Sequence, residues 1–185
     1  MSEPLHRQSI YSGKVIDLDI DTVVLPNGVQ TQLEIIRHPG GSAVVAINDQ
    51  GEVCMLRQYR HAAGGWLWEL PAGKIDNQEP PLSTAQRELA EEAQLAAEHW
   101  ESLGEIISSP GVLTERIYLF LARGLRATAG ETEPGEVLEV HWLPLANAIR
   151  QVYTSEIYDG KTAVGLLRAA PVQGGETWLT ETSEG

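Results

Sequence analysis

A mixed α and β fold, with strands outnumbering helices, is expected for this chain of 185 residues, and three observations predict it. Short apolar runs of strand length recur, bounded by Gly, Pro, Asn and Asp. The segment 15–21 alternates apolar and acidic residues with period two, as a half-buried strand does. From Leu82 the period changes to a helical one, with Leu82, Ala85, Leu89 and Ala93 on one ridge that is expected to face the core. The length suits one domain with a small N-terminal extension. A hydrophobic content of 42% supplies a real core and excludes general disorder.

Taken in order, the strand at 15–21 is followed by the tight-turn dipeptide Asn27-Gly28 and a returning strand at 31–37. The hairpin so formed over 10–37 is marginal alone and must pack on the rest of the chain or on another subunit. After His38-Pro39-Gly40-Gly41, residues 43–47 form a continuous apolar strand, and 53–57 a second one beyond the turn at 48–51. A strand at 66–70 is ended by Pro71, and Pro80 and Pro81 suit the start of the helix that carries Leu82. Strands follow at 102–107, 116–122 and 137–142. Pro144 opens a second helix, and a third lies near 161–169. Beyond Pro171 the residues turn polar and Gly-rich, as in a loose tail.

Thirteen Lys and Arg against 26 Asp and Glu leave a formal charge of −13. A field of that sign repels phosphate backbones and anionic lipid, so neither nucleic acid nor a membrane surface is an expected partner. An anionic small molecule needs local positive charge, most simply bound metal ions. The single Cys54, between Val53 and Met55, excludes an internal disulfide framework or a Cys-based zinc cluster and reads as a small buried hydrophobe. No signal-peptide core and no run long enough to span a bilayer is present, which predicts a soluble cytoplasmic protein.

The informative stretch is Gly73 to Glu92. On a helix Glu88 and Glu92 stand at i and i+4, with Glu91 at i+3 from Glu88, so the three converge on one side. Such a run is ordinarily a solvated acidic face. Here the turn Pro71-Ala72-Gly73 leads from a strand towards this helix and can aim backbone carbonyls at the same volume. Hard oxygen ligands gathered this way suit Mg²⁺ or Mn²⁺, not zinc.

Gly73, Glu79, Arg87, Glu88, Leu89, Glu91, Glu92 and Leu95 fall at the spacings of G-x5-E-x7-R-E-U-x-E-E-x-G-U, U being a bulky aliphatic. The segment resembles the signature of the Nudix hydrolases, departing from it at Gln94, where the family has a glycine that ends the helix. Outside the box, Ser109-Pro110-Gly111, the run to Arg116, Arg57-Gln58-Tyr59-Arg60 and Glu69-Leu70-Pro71-Ala72-Gly73 are similar to the ADP-ribose pyrophosphatase subgroup, over roughly residues 9 to 170.

The resemblance implies mixed β-sheets sandwiched between helices, with an antiparallel β-extension at 1–40 exchanged between the subunits of a homodimer. A catalytic domain at 41–170 and a flexible acidic tail at 171–185 complete that organisation. It implies Mg²⁺-dependent hydrolysis of ADP-ribose to AMP and ribose 5-phosphate. The Ala72 carbonyl, Glu88 and Glu92 hold the ion, Mn²⁺ being a substitute, and Glu91 contributes through water or a second ion. Glu79 and Arg87 brace loop and helix, and Gly73 belongs to the same structural box. Glu115, on a mobile loop, is the general base, with Glu91 as the alternative. Arg60 binds phosphate by a forked contact, and Lys14 and Val15 lie beside the adenine of the other subunit. Two further readings stay open: a GDP-mannose or other nucleotide-sugar pyrophosphatase, and a non-catalytic ADP-ribose sensor. His6, His38, His61, His99 and His141 show no spacing that suggests a joint site, and none is given a catalytic role.

Overall fold

The computed structural model describes residues 3–132 and 135–174. Among these, a three-stranded antiparallel sheet of β1 (His6–Ser12), β2 (Asp17–Val24) and β3 (Gln30–Arg37) comes first. Next are β4 (Gly41–Ala46), β5 (Glu52–Arg60), β6 (Gly65–Glu69), β7 (Ala72–Lys74) and helix α1 (Pro81–Ala93). Strands β8 (Leu95–Ile107), β9 (Arg116–Ala127) and β10 (Leu138–Pro144) precede helices α2 (Leu145–Tyr153) and α3 (Gly160–Gly174).

Two sheets form the body, one in the order β7-β4-β9-β8 and one in the order β10-β5-β6. β4 runs parallel to β9, and its six residues are all buried, so it reads as a continuous apolar run with no alternation. Helices cover both sides. Val44, Ala46, Cys54 and Ala122 pack against Ala85 and Leu89 of α1. Val45, Val53, Met55, Leu119 and Leu121 pack against Ala148 and Ile149 of α2 and Leu166 and Ala169 of α3. The expected sandwich of mixed sheets between helices is therefore present.

Several local expectations are corrected. The N-terminal piece has a third strand, β1, whose seven residues are all exposed. In β2 the buried face is the acidic one: Asp19 and Asp21 are buried, while Leu18 and Ile20 are half-buried. The reason is charge pairing. Arg7 reaches Asp21 at 2.8 Å, Arg37 reaches Asp19 at 3.1 Å, and Arg37 also pairs with Asp21. The Arg7 hydrogen bond is the main cause holding the Asp21 carboxyl below its ordinary range. Leu82 of α1 is 37% exposed and does not face the core, because the buried ridge runs through Thr84, Ala85, Glu88, Leu89 and Glu92. Residues 72–74 are not a plain turn but pair with β4. β8 begins at Leu95, well before the expected 102. α3 continues past Pro171 to Gly174, so 171–174 are helical, and the rest of the expected tail lies outside the described residues.

α1 ends at Gln94, which takes the left-handed conformation (φ 55°, ψ 39°) with its N–H on the Ala90 carbonyl. A side chain with a Cβ is disfavoured there by roughly 0.5–1 kcal/mol relative to glycine. Gln94→Gly is thus expected to raise the melting temperature by about 1–4 °C in calorimetry. An unchanged or lower value would show that the Gln94 side chain offsets the backbone strain.

Candidate active site

The site is assembled where β6 hands the chain to β7 and α1 crosses over it. Glycine is required at 73 because a Cβ there would lie 1.9 Å from Glu88 Oε1 and 2.1 Å from its Cδ; the carboxylate fills that space. One turn further along α1, Glu92 Oε2 accepts the Ala72 N–H at 2.7 Å. Glu92 is 3% exposed, and its other oxygen, Oε1, is buried with no hydrogen-bond partner among the described residues. A buried carboxylate oxygen left unpaired costs free energy unless something fills it.

Burial dominates the acidity of both groups. It pushes Glu92 up to about 8, against the Ala72 N–H and with Glu88 and Glu136 adding to the rise. It pushes Glu88 up to about 7, the adjacent Arg87 opposing and Glu91 and Glu136 reinforcing. These two carboxylates are accordingly not a solvated face.

Arg87 is the brace. Its guanidinium donates to Glu79 Oε1 at 3.0 Å, to the Lys74 carbonyl at 3.1 Å and to Glu91 Oε2 at 2.8 Å, and lies 2.8 Å from Glu88 Oε1. Glu79 also accepts from the Thr84 hydroxyl at 2.9 Å. Together they fix the loop between β7 and α1, which turns through Asn77 and Gln78 in the left-handed region. Glu91 is thereby turned to Arg87, apart from the Glu92–Ala72 contact.

A cavity of about 970 Å³ opens in front of these groups. Its wall includes Ala72, Gly73, Arg87, Glu88, Glu91, Arg60, Glu115, Lys14 and Val15, so the residues singled out in sequence come to one place except Glu79 and Glu92, which stand behind it. Lys14 and Val15 stand on the wall of this chain's own cavity. Arg60 is already engaged: its Nε and Nη2 donate to Glu69 at 2.9 and 3.0 Å. The forked edge expected for phosphate, Nε and Nη2, is thus held by a carboxylate, and Nη1 is the arm outside that fork.

Glu69 is buried, and Lys161 Nζ sits 2.5 Å from its second oxygen and 3.0 Å from Asp159. Burial alone would raise the Glu69 carboxyl; the Arg60 and Lys161 contacts overrule it and hold the group below its ordinary value. Thr162 locks the start of α3 to the same place, accepting the Leu70 N–H at 3.0 Å and donating to Asp159 at 2.6 Å. Glu69, Lys161 and Asp159 were not legible as site residues. Glu69 and Lys161 are 92 positions apart, and only the isolated lysine in Asp159-Gly160-Lys161-Thr162 hints at its role.

Glu115 lies on the segment between β8 and β9, with His38 Nδ1 3.3 Å from its Oε1. His38, given no catalytic role by its spacing in the sequence, lines the cavity beside Glu115. The neighbouring Arg116 pairs with Glu105.

The donors suit a hard divalent cation. They are oxygens, one is buried and unpaired, and the burial that disfavours two ionised carboxylates is relieved by positive charge. Among the described residues no three His, Cys, Asp or Glu side chains are grouped to enclose an ion by themselves. Among the described residues no helix is long and apolar enough to cross a membrane.

A family model described as NUDIX domain matches residues 37–161. An ADP-ribose pyrophosphatase of Bacillus subtilis is 38% identical over 162 residues, 86% of this chain and 88% of that protein. An ADP-ribose pyrophosphatase of Mycobacterium tuberculosis is 36% identical over 176 residues, 94% of this chain and 85% of that one. A GDP-mannose pyrophosphatase of Citrobacter koseri is 33% identical over 146 residues, 74% of this chain and 76% of that protein. The crystal structure of an ADP compounds hydrolase superimposes with a TM-score of 0.77 over 93% of this chain and 96% of that one, at 20% identity, a likeness of fold.

Proposed function

The chain belongs to the NUDIX family, and on that premise we propose that it is a Mg²⁺-dependent pyrophosphatase that hydrolyses ADP-ribose to AMP and ribose 5-phosphate. The observation that carries the reaction is the unpaired Glu92 Oε1, buried beside Glu88 and Ala72 behind a cavity of nucleotide size. The substrate follows from two relatives named ADP-ribose pyrophosphatase at 36–38% identity.

A bound Mg²⁺, or Mn²⁺ in its place, supplies charge neutralisation at the diphosphate and a more acidic water. Glu88, Glu92 and the Ala72 carbonyl hold it, with Glu91 contributing from Arg87's side. Glu79 and Arg87 keep the loop and α1 in register, and Gly73 leaves room for Glu88. The Nη1 arm of Arg60 meets a phosphate oxygen while Glu69 holds the rest of the guanidinium. Lys14 and Val15 contact the nucleoside end. Glu115 takes the proton of the attacking water, and Glu91 is the alternative base.

A cytoplasmic homodimer completes the reading. The β1–β3 sheet, within 1–40, leaves Ile10, Tyr11, Val24 and Leu33 exposed, apolar surface suited to contact with a second copy, while 41–170 carries the chemistry.

Phosphate release is the test, using ADP-ribose, GDP-mannose, UDP-glucose, diadenosine polyphosphates and 8-oxo-dGTP, with phosphatase added to reveal terminal phosphates. ADP-ribose is expected to lead. EDTA is expected to bring the rate to background, and Mg²⁺ to restore it. Preference for GDP-mannose, the reading its relative supports, would keep the mechanism and change the substrate. Silence across the panel with tight ADP-ribose binding would make the protein a sensor.

A further inference from the structure

We propose that Lys161 is a positioning residue: it holds the carboxylate of Glu69, which in turn fixes the guanidinium of Arg60 against the diphosphate of the substrate. This rests on the reading of Arg60 as the phosphate-binding residue.

Arg60 closes β5, and Gly65, its partner in register on β6, offers no side chain for it to rest on. The Arg60 side chain is 42% exposed, and a long side chain so placed keeps much of its rotamer freedom unless something holds it. Glu69 holds it: Nε donates to Oε1 at 2.9 Å and Nη2 to Oε2 at 3.0 Å. With that edge engaged, Nη1 is the arm that reaches phosphate. The aim of Arg60 is therefore set by the aim of Glu69.

Glu69 is 1% exposed, and its carboxylate is gripped from a second side. Lys161 Nζ donates to Oε2 at 2.5 Å and to Asp159 Oδ2 at 3.0 Å. Asp159 stands just before α3, where the same Oδ2 accepts the Thr162 N–H at 3.0 Å and the Thr162 hydroxyl at 2.6 Å, as a helix cap does. Thr162 Oγ1 accepts the Leu70 N–H at 3.0 Å, which returns the chain of bonds to the residue after Glu69. Lys161 is thus fastened to the start of α3, and α3 to the end of β6. Arg60, Asp159 and Lys161 all line the cavity.

Charge leads to the same assignment. Arg60 and Lys161 together balance Glu69 and Asp159. Without Lys161 this wall of the cavity carries one uncompensated negative charge, and Glu69 loses the grip on its α3 side. A diphosphate would then meet a repelling wall and an arm no longer fixed. Both effects act on the bound substrate and on the transition state alike, so they weaken binding and leave the chemical step alone.

The test measures kcat and KM for Lys161→Met, Glu69→Gln, the double variant and Arg60→Ala, with melting temperatures to establish folding. The substrate is the panel compound that the native enzyme turns over fastest; for a protein that binds without turnover, the Kd for ADP-ribose takes the place of KM. Lys161→Met is expected to raise KM about 10-fold, with kcat within about three-fold of native. Should Lys161→Met not fold, Lys161→Gln, shorter and neutral, carries the same expectation. The double variant loses a buried anion together with its cation, so it stays charge-balanced. Because Lys161 acts through Glu69, adding Lys161→Met to Glu69→Gln is expected to change KM by no more than about two-fold. Native KM in Lys161→Met would overturn the proposal. So would an undiminished rise in the Glu69→Gln background, which would mean that Lys161 meets the substrate itself. If Arg60→Ala keeps native KM, the reading of Arg60 fails, and the proposal with it. Weakened binding in Arg60→Ala beside native KM in Lys161→Met removes the role of Lys161 alone.

Discussion

Glu92→Gln is expected to lower turnover by about 10²- to 10³-fold while making the metal-free protein more stable at alkaline pH. The substitution keeps the shape and an oxygen to accept the Ala72 N–H, so the fold is retained. What is lost is the negative oxygen, Oε1, that has no hydrogen-bond partner among the described residues. The stability change has a definite sign. Burial, reinforced by Glu88 and Glu136, raises the carboxyl from 4.5 to about 8 in the fold. A group raised in this way binds more protons folded than unfolded, so native stability falls as pH rises from about 4.5 through about 8. Gln carries no such penalty. In EDTA the melting curves of native and variant should nearly coincide at pH 4 and separate by pH 8.5, with the variant higher. Near-native turnover would remove Glu92 from the metal site, and a variant melting lower at pH 8.5 would show that its charge is compensated within the protein.

Gly73→Ala is the second large effect, and it acts by displacement. The added methyl would stand 1.9 Å from Glu88 Oε1, closer than any contact can hold. The group in its way is the end of a flexible side chain and not backbone. Glu88 therefore swings aside while β7 keeps its pairing with β4. Turnover is expected to fall at least about 10²-fold, with the melting temperature within a few degrees of native. A variant that retains native turnover would place the Glu88 carboxylate outside the chemistry. Gly41→Ala is a useful contrast, since a Cβ there meets the Gly73 carbonyl oxygen at 2.8 Å and must move backbone.

The mixed fold and the position of α1 were legible because long periodic or continuous apolar segments dominate their own environment. β4 declares itself by five consecutive apolar residues within 43–47, and α1 by its prolines and spacing. What escaped was decided by partners distant in sequence. β1 carries His6-Arg7-Gln8-Ser9 with no alternation, and is a strand because β2 offers it hydrogen bonds. The face of β2 was misread because Asp19 and Asp21 are buried by arginines at 7 and 37, and local hydrophobicity says nothing of that. Leu82 was expected on the core face but is 37% exposed, while Glu88 on the buried ridge fills the space that Gly73 leaves. The box spacing brought Glu88, Glu91 and Arg87 into view, since helical geometry fixes them relative to one another. His38 and Lys161 reach the cavity through tertiary pairing, which no local spacing encodes.

The burial of β4 between β7 and β9 has a consequence for how the protein is made. Its antiparallel neighbour is available early, but its parallel partner is not: Gly41 pairs with Ile117, 76 residues later. At about 5–20 residues per second, a ribosome needs roughly 4–15 s to deliver that strand. Throughout that interval one edge of a strand whose six residues are all buried in the fold has no mate. Completion of the central sheet is therefore a late event in synthesis, and truncated chains that stop before β9 should be the species that chaperones hold and that aggregate first.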